Sequence, residues 1–224
     1  MVYIEKSTSV PSCLESEKSK KSGDYKCGDV LTLVKNDFHN KCYICGTDKP
    51  TTINIEHFIP HKGDLNLKFD WNNLFWSCGH CNNTKLDKYN NILNCTKIKN
   101  IDELIKYKCS IKGLEATVLI EATENSPNDT TVQTINLLND VYTGTTKLKK
   151  IESENILTQL KSSMKDLSNN YIEYKFADTE EDQEFWKNKL KKHILNSSPF
   201  TAFKRWYLKE KEPELYQNLS NIDS

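Results

Sequence analysis

The stretch "INIEHFIPHKGDLNLKFDWNNLFWSCGHCNNTK", residues 53–85, decides how this chain of 224 residues is interpreted. It gathers three of the chain's five histidines together with acids, asparagines and one C-x-x-C pair. The alternation in "TINIEHF" predicts a short strand, and "WNNLFWS" predicts a second strand that follows a polar loop. After Cys81, "NNTKLDKY" is compatible with a helix that runs away from the strands. The stretch therefore predicts a strand, a loop, a strand and a helix in succession.

A second C-x-x-C pair, Cys42 and Cys45, precedes this stretch and complements Cys78 and Cys81 within it. Two such pairs supply four thiolates, which can bind one zinc ion in a closed tetrahedral site. Residues 46–77 separate the pairs, an interval longer than the roughly 15–20 residues of a simple zinc ribbon. The cysteines therefore predict a structural zinc ion that holds the ends of this interval together and leaves no coordination position open for chemistry.

The other four cysteines, Cys13, Cys27, Cys95 and Cys109, stand alone in the sequence. We expect each of them to be a small buried apolar residue. The first residues, "MVYIEKSTSVPS", lack the apolar segment of a secretion signal, and no segment is apolar enough to cross a membrane. We therefore expect a cytoplasmic chain without membrane association, in which reduced thiols are favoured over a disulfide framework.

The charge balance gives no global signal for nucleic acid. The chain carries 31 basic and 31 acidic residues, so its formal net charge is zero. A local basic surface is still compatible with this balance, because phosphate binding depends on the charges near the site. Arg205 is the only arginine, so lysines would make most phosphate contacts. The lysine-rich segments at 147–150 and 187–192 are the candidates, although such segments are usually solvated helix faces.

Three regions follow from the distribution of these patterns. Residues 1–40 predict a helical lead-in, and residues 41–95 contain the paired cysteines and the strands. Residues 96–224 predict a helical region that serves as scaffold, substrate cradle or partner contact. The predicted fold class is α+β and mainly α, with a small zinc-stabilised core embedded in a helical scaffold.

Helical spacing of apolar residues marks the individual helices. We expect Ser12 to cap the first helix, and Asp129 or Thr130 to cap a later one. "IDELIKY" predicts a short helix, whereas "EATVLIEA" is open between a strand and a helix edge. The apolar positions predicted to face the core are Val132, Ile135, Leu138 and Val141 in the later helix, and Leu148, Ile151, Leu157, Leu160, Met164, Leu167, Tyr171 and Tyr174 in the longest one.

Four polar residues of the opening stretch form a candidate catalytic group. Glu56 and His57 are adjacent on a predicted strand, so they point to opposite faces and share a site only at a strand end or a distortion. Asn73 and Asn82 follow in the second half of the stretch. A carboxylate and an amide oxygen form a partial cage for Mg²⁺ or Mn²⁺, and a neutral histidine beside them can deprotonate a water molecule.

This arrangement resembles the HNH nucleases, also called ββα-metal or His-Me finger nucleases. Their pattern is an acid–His pair on the first strand, an Asn in the following loop or strand, and a His or Asn on the closing helix. Here the pattern reads Glu56-His57, Asn73 and Asn82, with Lys85 three residues beyond. Many members also carry two C-x-x-C pairs around this core. The resemblance therefore implies a zinc-stabilised ββα-metal core with nuclease activity on DNA or RNA.

The resemblance also implies a role for each matching residue. His57 would be the general base, and Glu56 and Asn82 would be the ligands of a catalytic Mg²⁺ or Mn²⁺ ion. Asn73 would brace the loop and help to orient His57. Asn72 is the alternative, but Asn73 is favoured because it directly precedes the apolar "LFWSC", as in the family pattern.

Two departures from the family pattern keep a second interpretation open. The acid is more often Asp, whereas Glu56 is one methylene longer. The last position is His in many members, whereas Asn82 occupies it here. The alternative is a zinc-stabilised module that binds nucleic acid or protein and whose HNH core is inactive.

More of the chain resembles one branch of the family. The segments "IEHFIPHKG", "DWNNLFWSCGHCNNTK", "TINLLNDVYTGTT" and "SPFTAFKRWYL" are similar to PtuB-type HNH proteins of bacterial anti-phage defence operons, which are encoded beside an ATPase in Septu and retron systems. The resemblance implies a defence effector whose helical region docks an ATPase partner or cradles the substrate.

The remaining histidines have weaker expectations. His61 and Lys85 are candidate phosphate contacts, and a solvated loop explains His61 equally well. His80 lies between the second pair of cysteines, where we expect it to be exposed and not a zinc ligand. His39 and His193 belong to no cluster in the sequence, so we expect structural roles for both.

Overall fold

The computed structural model describes residues 1–113 and 115–220. It is a mixed structure, 52% helical and 13% strand, which confirms the predicted fold class. No helix of these residues is long and apolar enough to cross a membrane. In chain order the elements are α1 Ser12–Lys18, α2 Gly28–Asp37, β1 Ile53–His57, α3 Leu65–Lys68, a 3₁₀ turn Trp71–Asn73, β2 Leu74–Cys78, α4 Gly79–Lys85, α5 Ile101–Leu104, β3 Ile105–Lys112, β4 Glu115–Ala122, α6 Asp129–Thr143, α7 Lys147–Lys175, α8 Glu180–Ile194, α9 Thr201–Lys211 and α10 Pro213–Ser220.

The opening stretch folds as a strand–loop–strand–helix unit, as predicted. Strands β1 and β2 pair antiparallel, with Ile53 opposite Cys78 and His57 opposite Leu74. Helix α4 begins at Gly79, three residues earlier than expected, because the side chain of Cys78 accepts a hydrogen bond from the backbone N–H of Cys81 and caps the helix. The thiolate pair and the start of the helix are therefore one local structure.

An aromatic cluster fixes this unit to the rest of the core. Every residue of β2 is buried, and Phe75 lies at its centre. The ring of Phe75 is 5.3 Å from Phe38 at the end of α2, 5.0 Å from Tyr43 and 4.9 Å from Phe58. Aromatic pairs at these distances add stabilisation beyond that of the area they bury. The strand that ends at the second cysteine pair is thus held from three sides.

A second sheet lies where the sequence predicted mainly helices. Strands β3 and β4 pair antiparallel over their full length, so the prediction of a helix through "IDELIKY" is wrong beyond Leu104. Ile105 and Tyr107 are buried at a spacing of two residues, which is the strand period and not the helical one. Packing of β3 against α9 and of β4 against α6 therefore overrides the helical pattern.

Two predicted helix caps are displaced by one residue or more. Ser12 is already inside α1, whose preceding residue is Pro11 and which has no side-chain cap. Asn128 caps α6 by accepting a hydrogen bond from Thr131 N, so the cap precedes the predicted positions 129–130. The Asn side chain reaches the free N–H three residues ahead, as cap residues do.

The buried faces of two helices are rotated from the predicted ones. Val132 of α6 is exposed, whereas Thr134 is buried and its hydroxyl accepts from Leu93 N at 2.8 Å. In α7, Leu148 and Ile151 are exposed, so the core-facing stripe begins later in the helix than predicted. A buried threonine with a hydrogen-bond partner is invisible to a count of apolar residues, which explains the error for α6.

Cys13 and Cys27 form a disulfide in the structure, so the prediction that they are isolated buried thiols is wrong. The bond joins α1 to the residue that precedes α2, and these two helices pack against each other. Cys95 is a free buried thiol, as expected, and Cys109 is half-buried. Sequence separation alone did not reveal the pairing, because the packing of α1 on α2 brings the two residues together.

The C-terminal helices pack against the segment that carries the first cysteine pair. The buried Lys41 donates to the carbonyl oxygens of Asn196 and Ser198. Tyr142 of α6 donates to the carbonyl oxygen of Cys45 at 2.6 Å. The cysteine pairs are therefore anchored to the helical scaffold and do not form a separate lobe.

Candidate active site and metal centre

The two C-x-x-C pairs meet in one buried cluster. The sulfur atoms of Cys42, Cys45, Cys78 and Cys81 all lie within 4.8 Å of one another, and the Cys45 and Cys78 sulfurs are 3.9 Å apart. A tetrahedral zinc site with Zn–S bonds of about 2.3 Å places its sulfurs roughly 3.8 Å apart. The cluster is therefore compatible with structural zinc, and its four thiols would fill the coordination sphere.

Gly46 lets the first cysteine pair pack closely against the scaffold. Its φ of +79° is in the left-handed region, and a Cβ there would lie 3.2 Å from the backbone nitrogen of Phe200. That nitrogen donates to the Gly46 carbonyl oxygen at 3.1 Å. Glycine satisfies both the conformation and the close approach.

His80 is buried, so the prediction that it is exposed is wrong. Its Nε2 lies 2.9 Å from the carbonyl oxygen of Val141 in α6, and its Nδ1 lies 2.8 Å from Glu152 Oε2 in α7. The imidazole therefore joins the second cysteine pair to two helices. No sequence signal marked this role, because both partners lie more than sixty residues away.

His57 is the last residue of β1 and is half-buried. Its Nε2 lies 3.0 Å from the carbonyl oxygen of Lys68. A carbonyl oxygen can only accept, so Nε2 carries the hydrogen and Nδ1 is the acceptor nitrogen of the neutral ring. Burial lowers the pKa of His57, and this effect outweighs the hydrogen bond to Lys68. The histidine is therefore held neutral and in one tautomer, as a general base requires.

Asn73 braces the loop between the strands. Its side-chain oxygen accepts from Ile59 N at 2.7 Å, and its amide donates to the carbonyl oxygens of Ile59 at 2.9 Å and Leu67 at 3.0 Å. Leu67 directly precedes the residue that accepts from His57, so the brace fixes that acceptor. Asn72, the alternative considered from sequence, is exposed. The geometry thus gives the bracing position to Asn73.

Glu56 directly precedes His57 on β1 and is buried. The phenol of Tyr43 donates to its Oε1, and the Lys85 ammonium lies 3.8 Å from the same atom. Burial raises the pKa of Glu56 to about 7, against the opposing effects of Lys85 and the Tyr43 hydrogen bond. Tyr43 is a member of this group that the sequence analysis missed.

Lys85, predicted as a possible phosphate contact, lines the cleft described below and has hydrogen-bond partners inside the protein. Its side chain is buried and donates to the carbonyl oxygens of Phe58 at 2.9 Å and His57 at 3.3 Å. Burial lowers its pKa, and Glu56 partly offsets this effect. The ammonium therefore ties α4 to the end of β1 and faces the buried carboxylate.

A cleft of about 610 Å³ brings most of the candidate residues together. Asn82 of α4 is half-buried and lines the cleft together with Glu56 and His57. His61 also lines it, with its ring 4.6 Å from that of His57 and its Nδ1 accepting from Gly63 N. Asn73 lies outside the lining and acts through the loop.

The residues present fit a hard divalent cation. Glu56 and Asn82 both line the cleft, and a carboxylate with an amide oxygen is the oxygen donor set that Mg²⁺ and Mn²⁺ prefer. Two protein ligands leave positions for water and a phosphate oxygen, as is usual for Mg²⁺. Among the described residues, only the four cysteines form a cluster of three or more Cys, His, Asp or Glu ligands.

The N-terminal region contributes two residues that the sequence analysis did not assign to the site. Tyr25 places its ring 4.4 Å from that of His57, and Lys26 lines the same cleft with its side chain exposed. Both lie in the connection between α1 and α2. Their proximity depends on how the lead-in folds back over β1, and no motif in the sequence indicates it.

Residues 42–88 match the HNH endonuclease family. The match begins at Cys42 and ends three residues beyond Lys85. The matched segment, called the HNH unit below, contains both C-x-x-C pairs, Glu56, His57, Asn73 and Asn82. It covers about a fifth of the chain. No curated protein and no solved structure matches the chain. The comparison therefore supports a nuclease at the level of the HNH unit.

Proposed function

We propose that this protein is a metal-dependent endonuclease that hydrolyses phosphodiester bonds in DNA or RNA. The observation that carries the proposal is the state of His57, a neutral imidazole whose Nε2 is bound to Lys68 O and whose Nδ1 remains the acceptor. The family match over residues 42–88 supports the same assignment. Exposed Lys26 and Lys62 at the cleft add positive charge where a phosphate backbone would lie.

In the proposed reaction, His57 Nδ1 takes a proton from a water molecule as its oxygen attacks the phosphorus atom. A new P–O bond forms with the water oxygen, the bond to the leaving oxygen of the nucleic acid breaks, and the leaving oxygen takes a proton from solvent. The Nε2–H bond to Lys68 O keeps the acceptor nitrogen directed at the water. The proton then passes from the imidazolium to solvent, because half-burial disfavours the charged ring.

Glu56 and Asn82 would hold the divalent cation, which supplies stabilisation of negative charge on the phosphate and the leaving oxygen. Tyr43 and Lys85 keep the Glu56 carboxylate in place. The four cysteines hold the two ends of the HNH unit together and take no part in the chemistry, since a closed thiolate site has no open position.

The test is cleavage of DNA and RNA by the purified protein with Mg²⁺ or Mn²⁺, with EDTA as control. His57→Ala should abolish cleavage while the chain stays folded and keeps its zinc, because the ring is only half-buried and lies outside the four-cysteine cluster. His39→Ala, which changes a histidine outside the cleft lining, should cut like the parent. Unchanged cleavage by the His57 variant would overturn the mechanism.

A second function is favoured by one observation. The Lys85 ammonium lies 3.8 Å from Glu56 Oε1, and a cation already beside the carboxylate opposes the binding of another. This pairing fits a zinc-stabilised module that binds nucleic acid or protein without cutting. The module is favoured over the nuclease if the protein binds labelled DNA or RNA, cuts neither with Mg²⁺ or Mn²⁺, and binds them equally well after Glu56→Gln.

We further propose that the protein is the cytoplasmic effector of a bacterial anti-phage defence system with an ATPase partner. The support is the resemblance of four sequence segments to PtuB-type proteins. Residues 96–224 would dock the partner, while residues 41–95 carry the nuclease and residues 1–40 precede it. Co-expression with an ATPase encoded beside this protein should yield a co-purifying complex with stimulated cleavage. A partner that neither binds nor changes cleavage would reject this role.

A further inference from the structure

The connection between α1 and α2, residues 19–27, joins the edge of the candidate site to a disulfide. We call it the staple loop. It carries Tyr25 and Lys26, both of which line the cleft, and it ends at Cys27, which is bonded to Cys13 in α1. The aromatic residue that contacts His57 is therefore only two residues from the crosslink.

The contacts of the staple loop converge on the surroundings of His57. The Tyr25 ring lies 4.4 Å from the His57 ring, and its hydroxyl donates a long bond of 3.4 Å to Ile55 O in β1. Lys68 Nζ donates to Gly23 O at 2.9 Å. Lys68 is also the residue whose carbonyl oxygen accepts from His57 Nε2. The loop therefore supports both the ring of His57 and the residue that fixes its tautomer.

The path of the staple loop leaves little freedom at its centre. Gly23 is buried, and a Cβ there would lie 1.8 Å from the carbonyl oxygen of Glu17. The Glu17 carboxylate accepts from Asp24 N at 2.9 Å. The loop thus crosses directly beneath the end of α1 before it reaches Tyr25. On the far side of Tyr25, the Cys13–Cys27 bond is the covalent attachment.

We propose that the Cys13–Cys27 disulfide holds Tyr25 against His57, so that Tyr25 is a positioning residue and the site responds to thiol reductants. Both cysteines are half-buried, which leaves them within reach of a small dithiol. Once the bond is broken, the loop between Gly23 and α2 gains conformations in which the two rings are apart. The effect on cleavage rests on the proposed nuclease function, whereas the effect on the ring contact does not.

The redox step is a thiol–disulfide exchange with a dithiol. One reductant thiolate attacks one protein sulfur, which forms a mixed disulfide and releases the other protein sulfur as a thiolate. The second reductant thiol then displaces the remaining protein sulfur. Two electrons pass from the dithiol to the protein, two protons end on Cys13 and Cys27, and the reductant leaves as a cyclic disulfide.

The direct test is the ring-proton NMR signal of His57, assigned by its absence in His57→Ala. In the oxidised protein, the ring current of the nearby Tyr25 should shift the resonance frequency of this His57 proton. Dithiothreitol, Tyr25→Leu and the double variant Cys13→Ser/Cys27→Ser should each move it in the same direction, and the double variant should no longer respond to dithiothreitol. Cys109→Ser, which alters a half-buried thiol outside the bond, should behave like the parent. Zinc content is measured in every sample.

Cleavage provides the second readout. Reduction, or loss of the Tyr25 ring, should lower kcat roughly tenfold with KM little changed, because the base is displaced while substrate contacts remain. A His57 signal that ignores both reduction and Tyr25→Leu overturns the proposal. So does a His57 signal that moves while kcat stays constant.

If no sample cuts nucleic acid, the nuclease function fails, and the NMR result still decides whether the disulfide holds the ring contact. Should the double variant fail to fold, Tyr25→Leu and the reduced parent carry the same decision.

Discussion

At the scale of single residues, the candidate site depends on side chains that hold backbone groups in place. Asn73 makes three hydrogen bonds to the loop, and Lys68 O fixes the tautomer of His57. Lys85 binds two carbonyl oxygens at the strand end. Of the residues carried over by the family resemblance, Asn73 and Lys85 thus act on the loop and strand that surround the cleft.

Replacing Asn73 should therefore harm both stability and catalysis. Asn73→Ala leaves Ile59 N and two carbonyl oxygens without partners, so the free energy of unfolding should fall by about 1–3 kcal/mol. The acceptor of His57 would also shift, and kcat should fall on the order of 10–100-fold. Denaturant unfolding and cleavage rates measure the two effects.

Asn72→Ala is the matched control, since Asn72 is the exposed neighbour of the same residue type. Its free energy of unfolding should change by less than about 0.5 kcal/mol, with cleavage unaltered. Equal losses in the two variants would refute the assignment of the brace to Asn73.

His193 should make stability depend on acidity. Burial, and then the charge of Lys204, lower its pKa to about 4 from an ordinary value of 6.5, and its Nε2 accepts from Asn170 at 2.8 Å. As the pH falls from about 6.5 to about 4, the unfolded chain binds the proton first, so the free energy of unfolding decreases across this window and levels off below it. Above about pH 6.5 the ring is neutral in both states and the full stability is present.

The substitution His193→Gln removes this titration and retains a polar side chain opposite Asn170. Between about pH 7 and about pH 5, the variant should lose less unfolding free energy than the parent in urea titrations. His39, whose pKa burial also lowers, should leave a residual slope in both proteins. Identical slopes would show that His193 does not titrate in this way.

At the scale of elements, local patterns identified the strand–loop–strand–helix unit because "TINIEHF" alternates, a second strand-like segment follows a polar loop, and helix-compatible residues follow Cys81. The same reasoning failed for β3, where the alternation of Ile105 and Tyr107 was weaker than the helical signal of the preceding residues. It predicted α6 but placed its buried face wrongly, because Thr134 replaces an apolar residue on that face. Patterns of apolar residues do not record packing against distant helices, and these errors follow from that limit.

The site shows the same division. Glu56, His57, Asn73 and Asn82 could be recognised as a group because all four lie in the same continuous stretch, residues 53–85. Tyr43, Tyr25 and the partners of His80 could not, since they reach the unit from other elements. The pairing of Cys13 with Cys27 likewise depends on the contact between α1 and α2.

One ion pair joins α9 to α5 and gives a test at this scale. Arg205 donates to Asp102 Oδ2 at 3.0 Å, to Ile194 O at 2.9 Å and to Asn196 Oδ1 at 2.9 Å. The Asp102 side chain is only 4% exposed. Arg205→Met leaves the buried Asp102 carboxylate without its cation, so the free energy of unfolding should fall by about 3–5 kcal/mol.

Lys209→Met is the comparison, because Lys209 lies on the same helix and pairs with Glu103, whose side chain is 56% exposed. An exposed pair contributes about 0–1 kcal/mol, so this variant should unfold close to the parent in denaturant. A loss for Lys209→Met as large as that for Arg205→Met would contradict the argument from burial.

At the scale of the whole molecule, the four-cysteine cluster connects the two halves of the fold. The two C-x-x-C segments are hydrogen-bonded to α6 through Tyr142 and His80, to α7 through Glu152, and to the segment before α9 through Gly46. A metal ion in the cluster would therefore stabilise the helical scaffold together with the HNH unit. This coupling distinguishes a structural zinc ion from one that holds only a local loop.

Removal of the metal should consequently destabilise the entire chain. The purified protein should contain one zinc ion per chain, and Cys78→Ser or exhaustive chelation should lower Tm by roughly 10 °C or more, since about 1 kcal/mol corresponds to roughly 2–4 °C at this size. Loss of helical circular dichroism should accompany loss of zinc, because helices α6 and α7 rest on the cluster. Cys95→Ser, which alters a buried thiol outside the cluster, should retain zinc. If the zinc-free protein keeps the Tm of the parent, the four thiols pack without a metal and the prediction is wrong. If the zinc-free protein cuts nucleic acid with Mg²⁺ alone, the catalytic geometry does not depend on the zinc cluster.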